Sequence, residues 1–172
     1  MAQTKPEVWM RGPLAGIPAL VQPVAHALLQ AQEELHDMMK DFPEHLLWQR
    51  PAGVASPGFH LKHITGVLDR LFTYAAGQPL AAQQLEYLKA ESIGSEDITV
   101  TSLLNNLDAQ IAASLEKLKA IDETTLTDTR GVGRQQLPST VLGLLFHAAE
   151  HTMRHTGQLL VTVKILADTM KK

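Results

Sequence analysis

Three histidines, His147, His151 and His155, stand four residues apart within the stretch 145–158. On an α-helix that spacing stacks them along one face, each step rotating by only about 40° because a turn holds about 3.6 residues. Two imidazoles at i and i+4 can aim nitrogens at one point, which is how helical H-E-x-x-H sites hold zinc. A pair is half a site, so the chemistry depends on a third ligand from another element. His63, within Leu61-Lys62-His63-Ile64, falls on one apolar face with Phe59, Val67 and Arg70, beside Ile64 and Leu71, whereas His60 lies at the edge of that face. Burying three unpaired imidazoles costs on the order of several kcal/mol, which a shared metal ion removes. The competing reading is structural, with each ring a core residue satisfied by its own hydrogen bond.

Long helices must carry these residues. The 172-residue chain suits a single domain, 1–172, with enough length for a substantial core. Residues 1–18, with Pro6, Pro13 and Pro18, read as an irregular lead-in. A first helix is predicted over 19–41, with Val24, Leu28, Ala31, Leu35 and Met38 at helical spacing and with His26 and His36 on the surface. A second starts at Ser56-Pro57, an N-cap followed by proline at N1, and runs to about residue 76. Trp48, in the preceding connection, is expected to pack over the end of the core. After Gly77 and Pro79 comes a short polar helical piece over 81–91 inside a long connection, so the second and third helices are expected to run parallel through a crossover.

The third helix spans 101–122, with Leu104, Leu107, Ile111, Leu115, Leu118 and Ile121 as its stripe. Residues 124–137, including Gly131-Val132-Gly133-Arg134, read as surface loop, and the last helix begins at Ser139 or Thr140 and runs to about 168. Four helices and no convincing strand make an all-α protein. Asp69 and Arg70 read as helix-surface residues, and Glu150, adjacent to His151, points about 100° away from it.

Composition narrows the function. A formal charge of -3 offers no basic field for nucleic acid. There is no cysteine, so thiolate ligands and a cysteine nucleophile are excluded and any thiol must arrive with a substrate. No signal-peptide core and no run near the ~20 residues of a membrane span is present, so a cytoplasmic location without membrane association is expected.

The combination of Leu61-Lys62-His63-Ile64 with Glu150-His151, His155 and Gly157-Gln158-Leu159, and Trp48 three residues before Pro51, resembles the DinB/YfiT-like superfamily of bacterial metalloenzymes over about residues 19–165. The resemblance implies a four-helix bundle of up-down-down-up topology. It also implies a divalent metal held by His63, His151 and His155, zinc or nickel foremost, with iron or manganese as further candidates. It places His147 and Gln158 around that site as wall or hydrogen-bonding residues. Thr156 stands where the family often has arginine, and Arg154 precedes His155 instead. Characterised members include transferases and isomerases that depend on low-molecular-weight thiols, so the resemblance implies a small-molecule substrate, a thiol-dependent transferase active in detoxification, and a homodimer. A metal-dependent hydrolase and a non-catalytic, stress-associated metal-binding protein are the alternatives.

Overall fold

The computed structural model describes residues 5–169. Five α-helices are found among them: α1 Gln22–Met39, α2 Pro57–Ala75, α3 Ala82–Ala90, α4 Val100–Lys119 and α5 Val141–Thr169. The four long ones enclose the core, α2 packing on α5 and α4, and α1 on the same two helices. Leu28, Leu35, Leu61, Ile64, Leu68, Leu107, Ile111, Leu118, Leu145 and Leu159 are fully buried. Each contributes about 1.5–3 kcal/mol of apolar transfer, which is what holds amphipathic helices of this length in place.

Local chemistry sets the helix ends. Ser56 Oγ accepts from Phe59 N (3.2 Å) with Pro57 at N1, which starts α2 where the sequence places it. Gly77, at φ 71°, ends it: Gly77 N reaches Tyr74 O (2.8 Å) and Gln78 N reaches Thr73 O (3.0 Å), a Schellman closure. Helix α4 is capped by Thr99 Oγ1, which accepts from Ser102 N (3.1 Å). The Glu44 carboxylate, from the connection after α1, also accepts from Val100 N (2.9 Å). At the other end of the same pair, Glu123 Oε1 accepts from Leu20 N (2.6 Å).

The strandless expectation is corrected by a small antiparallel hairpin, β1 Thr129–Val132 and β2 Leu137–Thr140, with Gly131 opposite Pro138. Four-residue strands with no alternating apolar pattern give no periodic signal. Both strands are edges, which tolerate proline. Gly133 and Gln136 turn the chain with positive φ, at 68° and 50°. The Gly131-Val132-Gly133-Arg134 stretch is thus strand and turn rather than plain loop. Arg130 Nε donates to Ala75 O (2.9 Å), tying the hairpin to the end of α2.

Part of the lead-in is anchored. A 3-10 turn over Val8–Arg11 buries Val8, whose N–H donates to Gln30 Oε1 (2.9 Å), and Arg11 grips Glu33 with two hydrogen bonds of 2.6 and 2.7 Å. Residues 1–4 of the lead-in lie outside the described residues.

Trp48 locks the crossover to α2. A Cβ added at Gly58 would lie 2.7 Å from Trp48 Cη2, and one at Gly94 would lie 2.6 Å from Trp48 Cδ2, so two glycines give the indole its place. Behind it, the buried Lys62 Nζ donates to the carbonyls of Ala90 and Ile93 and sits 5.7 Å from the indole centroid. In an open helix Gly→Ala stabilises by about 0.5–1 kcal/mol. Against this ring Gly58→Ala is expected to destabilise by about 1–3 kcal/mol in urea unfolding. A rise in stability would show that the indole yields freely.

Candidate metal centre

Helices α2 and α5 present facing histidines. On α2, one helical turn brings His60 and His63 to the same side as Phe59; on α5, His151 and His155 occupy successive turns. The buried Leu145, Ala148, Ala149 and Leu159 press α5 against its neighbours and turn this histidine face inward. His63, His151 and His155, all half-buried, bring one ligand nitrogen each to within 4.8 Å of one another. His63 Nε2 lies 3.0 Å from His151 Nε2, and the His63 ring centroid lies 4.5 Å from that of His155. Phe59 stacks on His63 at 5.1 Å with planes 13° apart.

The outer nitrogens differ in their partners. His63 Nδ1 is 2.7 Å from Glu91 Oε2, and His155 Nδ1 is 2.9 Å from His60 Nδ1. His151 Nδ1 is buried with no hydrogen-bond partner among the described residues. Burial, and after it the proximity of His63, depresses the pKa of His151 to about 4 and that of His155 to about 3. The same causes hold His60 at about 4. These three rings are therefore neutral at pH 7 and keep lone pairs to donate.

A divalent cation suits this donor set. Two imidazole Nε2 atoms 3.0 Å apart cannot both point bare lone pairs at each other without a proton or a cation between them. Three imidazoles are a ligand set that zinc, nickel, iron and manganese accept, and it leaves coordination positions open. His147 stands one turn before His151, exposed, with Nδ1 2.6 Å from Glu150 Oε1 and its ring 5.1 Å from the His151 ring. His147, Glu150 and His151 form a second group of possible ligands, but Arg154 holds the same Glu150 carboxylate at 2.6 Å and opposes a cation there. Gln158 is exposed, as is Arg154; Thr156 is buried and donates to Thr152 O (2.9 Å).

Three residues of the surroundings escape the sequence reading. His60, placed at the edge of the stripe, is buried and touches His155; its i−3 relation to His63 was the available signal. Arg70 is not a helix-surface residue: it is buried, and its Nη1 bonds Glu91 Oε1 at 2.6 Å. Glu91, absorbed into the polar helical piece, is itself 3% exposed. Only the glycine at 66, on the face where Glu91 crosses α2, hinted at the close approach. Asp69 is half-buried and accepts from Gln84 Nε2 (2.8 Å), holding α3 against α2. His36 is exposed and pairs with Asp108 at 2.8 Å, as a surface residue does, while His26 is half-buried with Nε2 3.1 Å from Gly12 O.

A family model described as the DinB superfamily matches residues 27–159, a span that contains all three clustered histidines. A crystal structure of a protein from Streptococcus pneumoniae superposes with a TM-score of 0.62 over 84% of this chain and 88% of that one, at 13% identity. At that identity the likeness speaks for the fold. None of the curated proteins matches the chain. No helix among the described residues is long and apolar enough to cross a membrane.

Proposed function

Because the chain belongs to the DinB superfamily, we propose that His63, His151 and His155 hold one divalent metal ion and that this centre serves a transferase joining a low-molecular-weight thiol to an electrophile. The observation that carries the metal reading is the convergence of three ligand nitrogens, from two helices, within 4.8 Å. The bound ion supplies a positive charge that favours the anionic form of an acidic group placed beside it. The chain's own part is to keep the His151 and His155 rings neutral through burial, to wall the centre with Phe59, and to leave the thiol to the substrate, since the protein has no cysteine. A hollow of about 170 Å³ bordered by Arg50, Ser56, Phe59 and Ser92 lies against the ring that stacks on His63, a size suited to part of a small molecule.

The helix order belongs to the same reading. Glu44 at Val100 and Glu123 at Leu20 set α1 and α4 antiparallel, and His60–His155 with His63–His151 set α2 and α5 antiparallel. Trp48, touching both Gly58 and Gly94, brings the starts of α2 and α4 to one end. These ties support an up-down-down-up bundle of α1, α2, α4 and α5 with α3 in the crossover. The reading includes a homodimer, for which Leu142, Phe146, Leu160, Val161 and Ile165, exposed along α5, offer an apolar surface.

Elemental analysis of the untagged protein, beside a His63→Ala, His151→Ala double variant, tests the metal. Near-stoichiometric metal in the wild type and none in the variant is the expected result. No metal in either, after incubation with zinc, nickel and manganese, overturns the reading and leaves the histidines as core residues. A panel of small thiols and electrophiles then tests turnover, which is expected in the wild type and lost in His151→Ala. Metal without turnover would mark a non-catalytic metal-binding protein.

A further inference from the structure

Glu91 comes from the end of the crossover between α2 and α4, 28 residues after His63, and reaches back across α2 to touch it. Its two oxygens have separate duties. Oε1 takes the Arg70 guanidinium at 2.6 Å, and Oε2 takes His63 Nδ1 at 2.7 Å. Gly66, between His63 and Arg70 on the helix, makes room for this. A Cβ there would collide with Glu91 Oε1 and stand 2.6 Å from Arg70 Nη1 and 2.9 Å from Tyr87 Cδ1. The crossover is held on α2 by Trp48 against Gly94 and by Lys62 on the carbonyls of Ala90 and Ile93, so the carboxylate is delivered by a fixed segment rather than by a free side chain.

We propose that Glu91 is the positioning residue of the metal centre, fixing His63 as the Nδ1–H tautomer so that its Nε2 lone pair faces His151 and His155. A carboxylate only accepts hydrogen bonds, so the proton of a neutral His63 must sit on Nδ1. That leaves Nε2 bare on the side where His151 Nε2 lies 3.0 Å away. A salt bridge built for stability alone would need only the Arg70 contact; the second oxygen is spent on orienting an imidazole. Arg70 keeps the carboxylate aimed. Glu91 is not itself a ligand, because both oxygens are engaged. Carboxylates behind ligating histidines act this way at zinc sites, where removing them weakens metal binding by about 10–100-fold. The tautomer stands on the contacts alone; its use in holding metal rests on the reading of the three histidines as ligands.

The test compares two variants in which Arg70 is already replaced, so that no guanidinium is stranded: Arg70→Met/Glu91→Gln, which keeps an acceptor for His63, and Arg70→Met/Glu91→Met, which does not. Long-range ¹H–¹⁵N spectra of the metal-free proteins read the His63 tautomer directly, and competition with a chromophoric chelator reads Zn²⁺ affinity. His63 is expected to be Nδ1–H in the wild type and in the glutamine variant, and to shift to Nε2–H in the methionine variant. Zn²⁺ affinity is expected to fall by about 10–100-fold in the methionine variant and by less with glutamine. An Nε2–H tautomer in the wild type, or an unchanged Nδ1–H tautomer in the methionine variant, overturns the proposal. An equal loss of affinity in both variants, with the tautomer kept by glutamine alone, also overturns the role in metal binding. If the tautomer responds as expected and no protein binds Zn²⁺, the metal reading fails and Glu91 remains the residue that orients His63.

Discussion

Acidifying the metal-free protein from pH 7 toward about 4 is expected to unfold it, with about three protons taken up on unfolding. His60, His151 and His155 titrate near 4, 4 and 3 in the fold, against an ordinary histidine value of 6.5. Between those values the unfolded chain binds protons that the folded chain refuses, so the stability these groups contribute is whole above about 6.5 and falls as pH drops. The loss stops only when the folded rings protonate. Burial is the first cause for each, and the positive charge that His63 can carry is the second. Because the rings sit among partly exposed residues, solvent screening will bring the measured slope somewhat below three protons. Glu33, held at about 2 by Arg11 and Lys5, acts in a lower window, between 4.5 and 2, and does not blur the result. Urea unfolding at half-unit steps of pH measures the slope. Stability that stays flat from pH 7 to 5 would mean that the cluster opens to solvent before the fold does. His155→Leu is expected to flatten the slope by about one proton.

The pattern that predicts this cluster is local, which is why it can be read from residues. Spacing by four on one helix and a histidine on an apolar stripe of another need no knowledge of the path between them, but they leave open which two of His147, His151 and His155 join His63. The resemblance implies the last two, and the structure brings those three rings together. Cap chemistry is local too: Ser56-Pro57 starts α2 where the sequence places it. Glu91 is different. Its position beside His63 depends on how a long connection is laid back over α2, and nothing within a helical turn of Glu91 encodes that path. The same gap misassigns Arg70. The periodicity puts it on the inward face with His63, but a charge on such a face is safe only when its partner is known, and the partner is Glu91. His60 fails for a smaller reason, since a boundary residue of a stripe is tipped inward or outward by what faces it, here His155. The hairpin is beyond periodicity altogether, being four residues a side.

Arg70→Met is expected to destabilise the fold by about 3–5 kcal/mol, the largest loss from any single replacement outside the apolar core. The guanidinium and the Glu91 carboxylate are 9% and 4% exposed and 2.6 Å apart. Removing one partner leaves a carboxylate buried against Tyr87 and α2, with His63 as its remaining side-chain hydrogen-bond partner among the described residues. Evidence that this carboxylate already weighs on its surroundings is the pKa of Tyr87, which burial first and the charge of Glu91 second raise to about 12. Replacing both charges, as in Arg70→Met/Glu91→Met, strands neither and is expected to recover most of the loss, because a buried ion pair is worth little over apolar side chains of similar volume. What it will not recover is the hydrogen bond to His63 Nδ1, worth about 1–3 kcal/mol if the ring stays buried without an acceptor. Chemical denaturation of the three proteins at pH 7 measures each term. A double variant no more stable than Arg70→Met would mean that packing around Gly66, rather than charge, sets the cost. Recovery to the wild-type level would mean that His63 finds another acceptor, and that the crossover holds Glu91 in place for the site rather than for the fold.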